Sequence, residues 1–185
     1  MTADATDWLD QTRSKLKRGN VVLFPKNSPL FGELSHIIDR ESHKVMVLWA
    51  FDFASQAVET LRRRYPEETR PQVALDTTRA WAAGEVKMPV AKRAILACHA
   101  FAKELESPSD IALCHAVGQA CGVVHANGHA LGFPVYDLTA IVLGSGVDNC
   151  REPVERRVSE YIDRITYWRE HQADYKGPWA QFMTR

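Results

Sequence analysis

The chain has 185 residues, about one domain by the usual prior and long enough to bury a core without disulfide or metal staples. Lys plus Arg and Asp plus Glu both number 23, so the net charge is zero, which removes the broad electrostatic footprint of a dedicated nucleic-acid or anionic-membrane binder. With 45% hydrophobic and 25% charged residues the composition is that of a folded soluble chain, and no stretch approaches the ~18 uninterrupted apolar residues of a spanning helix.

The opening residues, Met-Thr-Ala-Asp-Ala-Thr-Asp-Trp, are acidic and polar where a secretory signal needs a basic patch and an apolar run, so a cytoplasmic location is expected. Cys98, Cys114, Cys121 and Cys150 show no CxxC spacing, and three of them fall inside apolar helical patterns, so reduced thiols are expected.

Apolar residues recur every three or four positions almost throughout, which predicts an all-α chain of seven or eight helices in one compact bundle. The β-like run Val21-Val22-Leu23-Phe24 is isolated and followed by Pro25, so it reads as a connector. In chain order, a helix is predicted from about Asp7 to Lys17, stopped by Gly19-Asn20. A second runs from Ser28-Pro29, a cap followed by an early-turn proline, to Arg40. The third, Ser42 to Tyr65, carries a stripe of Val45, Leu48, Trp49, Phe53, Ala57 and Leu61 and reads as central, with Pro66 ending it. The fourth opens at Thr69-Arg70-Pro71, turns Val73, Thr77, Ala80 and Trp81 inward, and closes at Gly84. Then come Met88 to Leu105, Asp110 to His125, His129 to Leu143 and Pro153 to Asp174, the last with Val158, Tyr161, Ile162, Ile165 and Trp168 inward. Between 91 and 142, Ala, Gly and Cys are frequent enough for helices to approach at the short end of the usual 8–10 Å range.

Two groups of residues stand out chemically. His125-Ala-Asn-Gly-His129 places two imidazoles four apart, a spacing that can grip one metal ion on an unbroken helix. Ala126 occupies the position that holds the general base in HExxH hydrolases, so a metalloprotease mechanism is excluded. His99 and His115, on neighbouring helices, could complete a divalent-metal site with His125 and His129, Cys98, Cys114 or Asp52 being further donors. The competing structural reading makes these histidines hydrogen-bonding groups of the core. Asp52 interrupts an apolar helix and needs a cationic partner, for which Arg79 and Arg93 are the expected donors. Arg62-Arg63-Arg64 and Arg156-Arg157, flanked by acids, read as solvated surface, and Trp8 and Trp179 are the aromatics free to anchor a partner.

The segments Leu48-Trp-Ala-Phe-Asp52, Tyr65-Pro66, Thr69-Arg-Pro71, Thr78-Arg-Ala-Trp-Ala-Ala-Gly-Glu85, Ala97-Cys-His99-Ala and Gly118-Gln-Ala120, with His125-Ala-Asn-Gly-His129-Ala-Leu-Gly132, resemble the bacterial putative immunity protein family, the fifth-numbered immunity-like domain. The resemblance covers about residues 45–142 and its matched positions are Asp52, Arg70, Arg79, Trp81, His99, His125 and His129, with Phe53 and Gln119 standing where the family usually has Cys and His. It implies an all-helical protein with no established catalytic residues that binds and neutralises a protein toxin passed between competing bacteria.

Three functions are therefore weighed. The first is a toxin-binding module resting on a few exposed anchors. The second is a small metal- or ligand-dependent bundle enzyme built on a polar pocket of Asp52, His99, His125 and His129. In the third, the polar core only fixes helix register and function lies in a homodimer surface.

Overall fold

The computed structural model describes residues 7–184. Eight α-helices and four short 3₁₀ turns account for the regular structure, with no strand among the described residues. The fold is all-α, as the apolar periodicity predicts. No helix among these residues is long and apolar enough to cross a membrane.

Helix α1 (Trp8–Lys17) is capped by Asp7, whose carboxylate accepts from the Leu9 N–H at 3.3 Å. A loop then carries Leu23 and Phe24 into the core, where the Leu23 N–H donates to Thr139 Oγ1. It is a connector, as Pro25 implies. Ser28 caps the 3₁₀ turn Pro29–Phe31, which leads into α2 (Gly32–Ile38).

Helix α3 (His43–Arg64) is the central rod. Ser42 caps it through the Val45 N–H, and its residues from Val45 to Phe51 are all buried, so neighbours surround it on every side. Trp49 and Phe53 form an aromatic cluster with Phe133 and Tyr161, and the Trp49 indole N–H donates to the Tyr161 carbonyl at 3.0 Å.

Helix α4 (Arg70–Ala83) starts with Pro71 in its first turn and stops at Gly84, whose φ of +83° is the left-handed cap that only glycine adopts freely. Its inward residues are Pro71, Ala74, Leu75, Thr78, Trp81 and Ala82, while Val73, expected to be inward, is 48% exposed. The buried stripe lies one position round the helix from the predicted one, because Ala and Thr fill it and leave little hydrophobic contrast.

Helices α5 (Met88–Ala102) and α6 (Pro108–Gly122) pack closely, and α6 makes a hairpin with α7 (Gly132–Ser145). A Cβ at Gly118 would overlap the His99 ring, so glycine sets how near α5 and α6 can come. Helix α6 ends three residues before the predicted His125. The chain then turns through Val123–Ala126 and the 3₁₀ turn Asn127–His129, so the two histidines of the HANGH segment do not lie on one unbroken helix. Asn-Gly breaks the helix here, and the Asn127 amide donates to the Glu41 carbonyl.

Helix α8 (Arg151–His171) crosses α3 with Tyr161 and Ile165 fully buried. The chain beyond it folds back on the end of α4, where the Ala180 N–H donates to the Ala82 carbonyl at 2.7 Å and Met183 is buried. Both terminal tryptophans fold onto the body. Trp8 packs on Phe24 and donates to Glu155, while half-buried Trp179 lies against Tyr175 with the Lys44 ammonium over its ring.

Candidate functional site

The predicted residues do not converge on one point. Trp81 of α4, His99 of α5 and the pair His125 and His129 from the turn after α6 line one groove, together with Met88, Lys92, Ile95 and Leu96 of α5. Its volume is about 380 Å³ and its walls are mostly apolar. Trp81 forms the floor, stacked under His125 at 6.5 Å, and Phe182 from the C-terminal turn, outside the groove lining, lies 5.5 Å from the indole. His129 sits 6.2 Å beyond His125 and rests on Gly122. Leu96 is 55% exposed and Met88 43%, so the outer lip is an uncovered hydrophobic strip.

At the inner end of the groove, α5 and α6 meet in two reciprocal contacts. His99 Nδ1 and His115 Nδ1 are 2.8 Å apart. One turn of side chain away, the Cys98 thiol donates to the Cys114 carbonyl at 3.5 Å and the Cys114 thiol to the Cys98 carbonyl at 3.0 Å, with the sulfurs 3.7 Å apart. The signal for this is in the sequence: Cys98-His99-Ala100 recurs as Cys114-His115-Ala116. Two copies of one tripeptide on antiparallel helices meet across a local twofold relation, which the spacing of the histidines alone does not reveal.

Burial holds both imidazoles below the ordinary value of 6.5, assisted for His99 by His115 and for His115 by Lys103. Both are thus neutral near pH 7, and a single proton between the facing nitrogens satisfies the pair: one ring donates through Nδ1–H, the other accepts. The hydrogen bond with Cys114 and then burial raise the Cys98 thiol, and burial pushes Cys121 up to about 11, so these thiols stay protonated. All four cysteines are free. His99 and His115 could offer two nitrogens to an ion, but no group of three or more His, Cys, Asp or Glu side chains is placed to hold a metal among the described residues.

Asp52 lies elsewhere. Its carboxylate accepts from the Trp168 indole N–H at 2.7 Å and faces Arg164 at 3.5 Å, both from α8, so neither Arg79 nor Arg93 is its hydrogen-bonding partner. The side of α3 that carries Asp52 faces α8 and not α4 or α5. Arg79 instead donates to Ser55 and pairs with Asp76, while Arg93 is exposed. Burial raises the Asp52 carboxyl, against the Trp168 hydrogen bond and the fields of Arg164 and Arg79. Arg70 is a strut: it donates to Glu68 and Glu104 and lies 5.0 Å over the Phe101 ring, tying the start of α4 to the end of α5.

One charged position expected at the surface, Arg157, is inward, while Arg62, Arg63 and Arg64 are exposed as expected. Arg157 donates through Nε to Asp137 at 2.7 Å and through Nη1 to Gln56 and Glu160, and Tyr161 gives the same carboxylate a 2.5 Å hydrogen bond. Arg64, with Tyr65, meets buried Asp110 at the start of α6. The Arg156-Arg157 run conceals its inward member, because Arg157 turns toward the core and Arg156 does not, while Arg64 stays exposed and reaches a carboxylate that is itself buried. Phe53 lies beneath the Arg157 guanidinium in the aromatic cluster, and Gln119 rests on Gly132 at the start of α7.

Comparison with curated proteins and with solved structures returned no match. A family model described as "Imm-5 like putative immunity protein" matches residues 36–164, from α2 to the middle of α8, and so spans the groove, the paired histidines and the central helix. The match takes in well over half of the chain, and the protein belongs to this family of Imm-5 like putative immunity proteins.

Proposed function

We propose that this chain is an immunity protein that acts in the cytoplasm as one helical domain, binding a protein toxin and blocking it by occupancy rather than by chemistry. The family name points to a protein partner. The observation that best supports the reading is the groove, where four of the family-like positions, Trp81, His99, His125 and His129, stand beside uncovered Leu96 and Met88. An aromatic floor, an apolar lip and imidazoles able to donate or accept make the kind of concave patch that receives a partner's anchoring side chain.

The alternative of a metal-dependent enzyme draws on the facing His99 and His115. Two imidazoles form a weaker site than the three ligands a catalytic metal usually has, and Asp52 stands on another face.

Survival of cells is the test. Each product encoded beside this gene is expressed in a host with and without the full chain. Rescue from one toxic neighbour, retained by the catalytically inert readout of complex formation on co-purification, is the expected result. A chain that rescues from none of them is not an immunity protein for those toxins, and the proposal falls.

A further inference from the structure

The groove's outer wall, helix α5, has an unbalanced charge pattern. From Glu85 to Glu104 the sequence holds no acidic residue between those two, yet it carries Lys87, Lys92, Arg93 and Lys103, all exposed. Elsewhere most arginines are paired: Arg13 with Asp148, Arg70 with two glutamates, Arg157 with Asp137, Arg169 with Glu41. Lys87, Lys92, Arg93 and Lys103 enter no ion pair and no side-chain hydrogen bond among the described residues. In a chain with equal numbers of acids and bases, a helix that holds exposed cations and no acid makes its face locally positive.

The cations also alternate with the uncovered apolar residues. Met88, Lys92, Leu96, His99 and Lys103 follow one another at intervals of three or four and so share one face of α5. Met88, Lys92, Leu96 and His99 line the groove. Lys26, whose field acts on His129, adds a positive charge near that end of the groove.

Resting on the immunity reading, we propose that this face receives an acidic segment of the partner protein, an amphipathic helix or loop that sets an apolar side chain over Trp81 and carboxylates against Lys92, Arg93 and Lys103. The apolar lip favours a protein over a nucleic acid, whose phosphates would leave Leu96 and Met88 uncovered. The exposed cations contribute mainly to capture rate and discrimination, and the apolar contact over Trp81 to residence time.

The experiment uses the full chain labelled at its methionine methyl groups. Met88 is exposed while Met46 and Met183 are buried, so Met88 reports on the groove. The probe is a synthetic helical peptide of about 15 residues with leucines along one face flanked by glutamates. A second peptide has lysines in place of the glutamates, and a labelled short DNA duplex is the third probe. Expected are a Met88 shift with the glutamate peptide alone, a loss of about tenfold or more in affinity in K92E/R93E, and binding of the lysine peptide by that charge-reversed variant. Circular dichroism checks that K92E/R93E remains folded. Equal binding of both peptides, a silent Met88, or duplex binding lost in the same variant overturns the proposal. If the wild-type chain protects cells and a K92E/R93E/L96E chain protects equally well, this surface is wrong and immunity stands. If the peptide pattern holds and no toxin is countered, the surface stands and immunity is wrong.

Discussion

A neutral pair of imidazoles makes folding sensitive to mild acid. His99 and His115 face each other through Nδ1 and are both held below 6.5 by burial. The unfolded chain, whose histidines titrate near their ordinary value, therefore binds more protons than the folded one as pH falls below that value. Unfolding free energy rises with pH wherever this holds, so the pair's contribution is complete above about pH 6.5 and is lost as pH falls through the lower folded-state values. Urea midpoints at about pH 8 and about pH 5.5 should fall on acidification in the wild type, and fall less in H99Q/H115Q. Equal slopes would mean that the two rings titrate as if in water. Asp52 has the opposite sign, being raised by burial, and it is unchanged in the double variant, so the comparison of the two slopes cancels it. The histidines themselves were legible in the sequence as unusual residues. Their pairing was not, because it depends on where α5 and α6 cross, and Gly118 fixes that crossing by admitting the His99 ring.

Among the contacts between elements, α7 and α8 are joined by a charge that has left water. Asp137 of α7 is 4% exposed and holds Arg157 and Tyr161 of α8, while Arg157 reaches Gln56 of α3 and lies 4.7 Å over Phe53. Removing Asp137 leaves Arg157 with only the exposed Glu160 as a counter-charge and the buried Tyr161 hydroxyl without its acceptor. The loss approaches that of a broken buried pair, about 3–5 kcal/mol, whereas replacing both Asp137 and Arg157 with apolar residues of similar volume is often close to neutral. D137A should therefore lower the urea midpoint far more than D137L/R157M does. A D137A loss under about 1 kcal/mol would place the pair effectively in solvent. Sequence patterning places most helices correctly but misjudges such positions. Arg157 sits in a run of charges that resembles a solvated face, and the carboxylate it needs lies 20 residues away on another helix. The end of α6 is hidden from the pattern for a related reason: Val123 and Val124 are buried and continue the apolar pattern, yet the backbone has already left the helix after Gly122.

For the whole molecule, Trp81 of the groove is also packed from outside the family-matched region. The match ends at residue 164, yet the tail after α8 returns to the end of α4, bonds Ala180 to the Ala82 carbonyl, buries Met183 and sets Phe182 beside Trp81. Gly84 belongs to the same joint, since a Cβ there would touch Ala180. The irregular composition around Gly177-Pro178 gives no periodic signal, so this packing of the tail on α4 is invisible to sequence patterning even though α4 itself is legible. A chain ended after Trp179 lacks the Ala180 hydrogen bond and the burial of Met183, which together contribute about 2–4 kcal/mol. It should keep its helical circular dichroism and cooperative unfolding while losing stability of that order. Its tryptophan emission should move to the red, because Trp81, 7% exposed with the tail in place, is then open to water. Truncation in a W81F background separates this from the other four tryptophans: the red shift should vanish there while the stability loss remains. Emission unchanged by truncation would show that the tail does not cover Trp81.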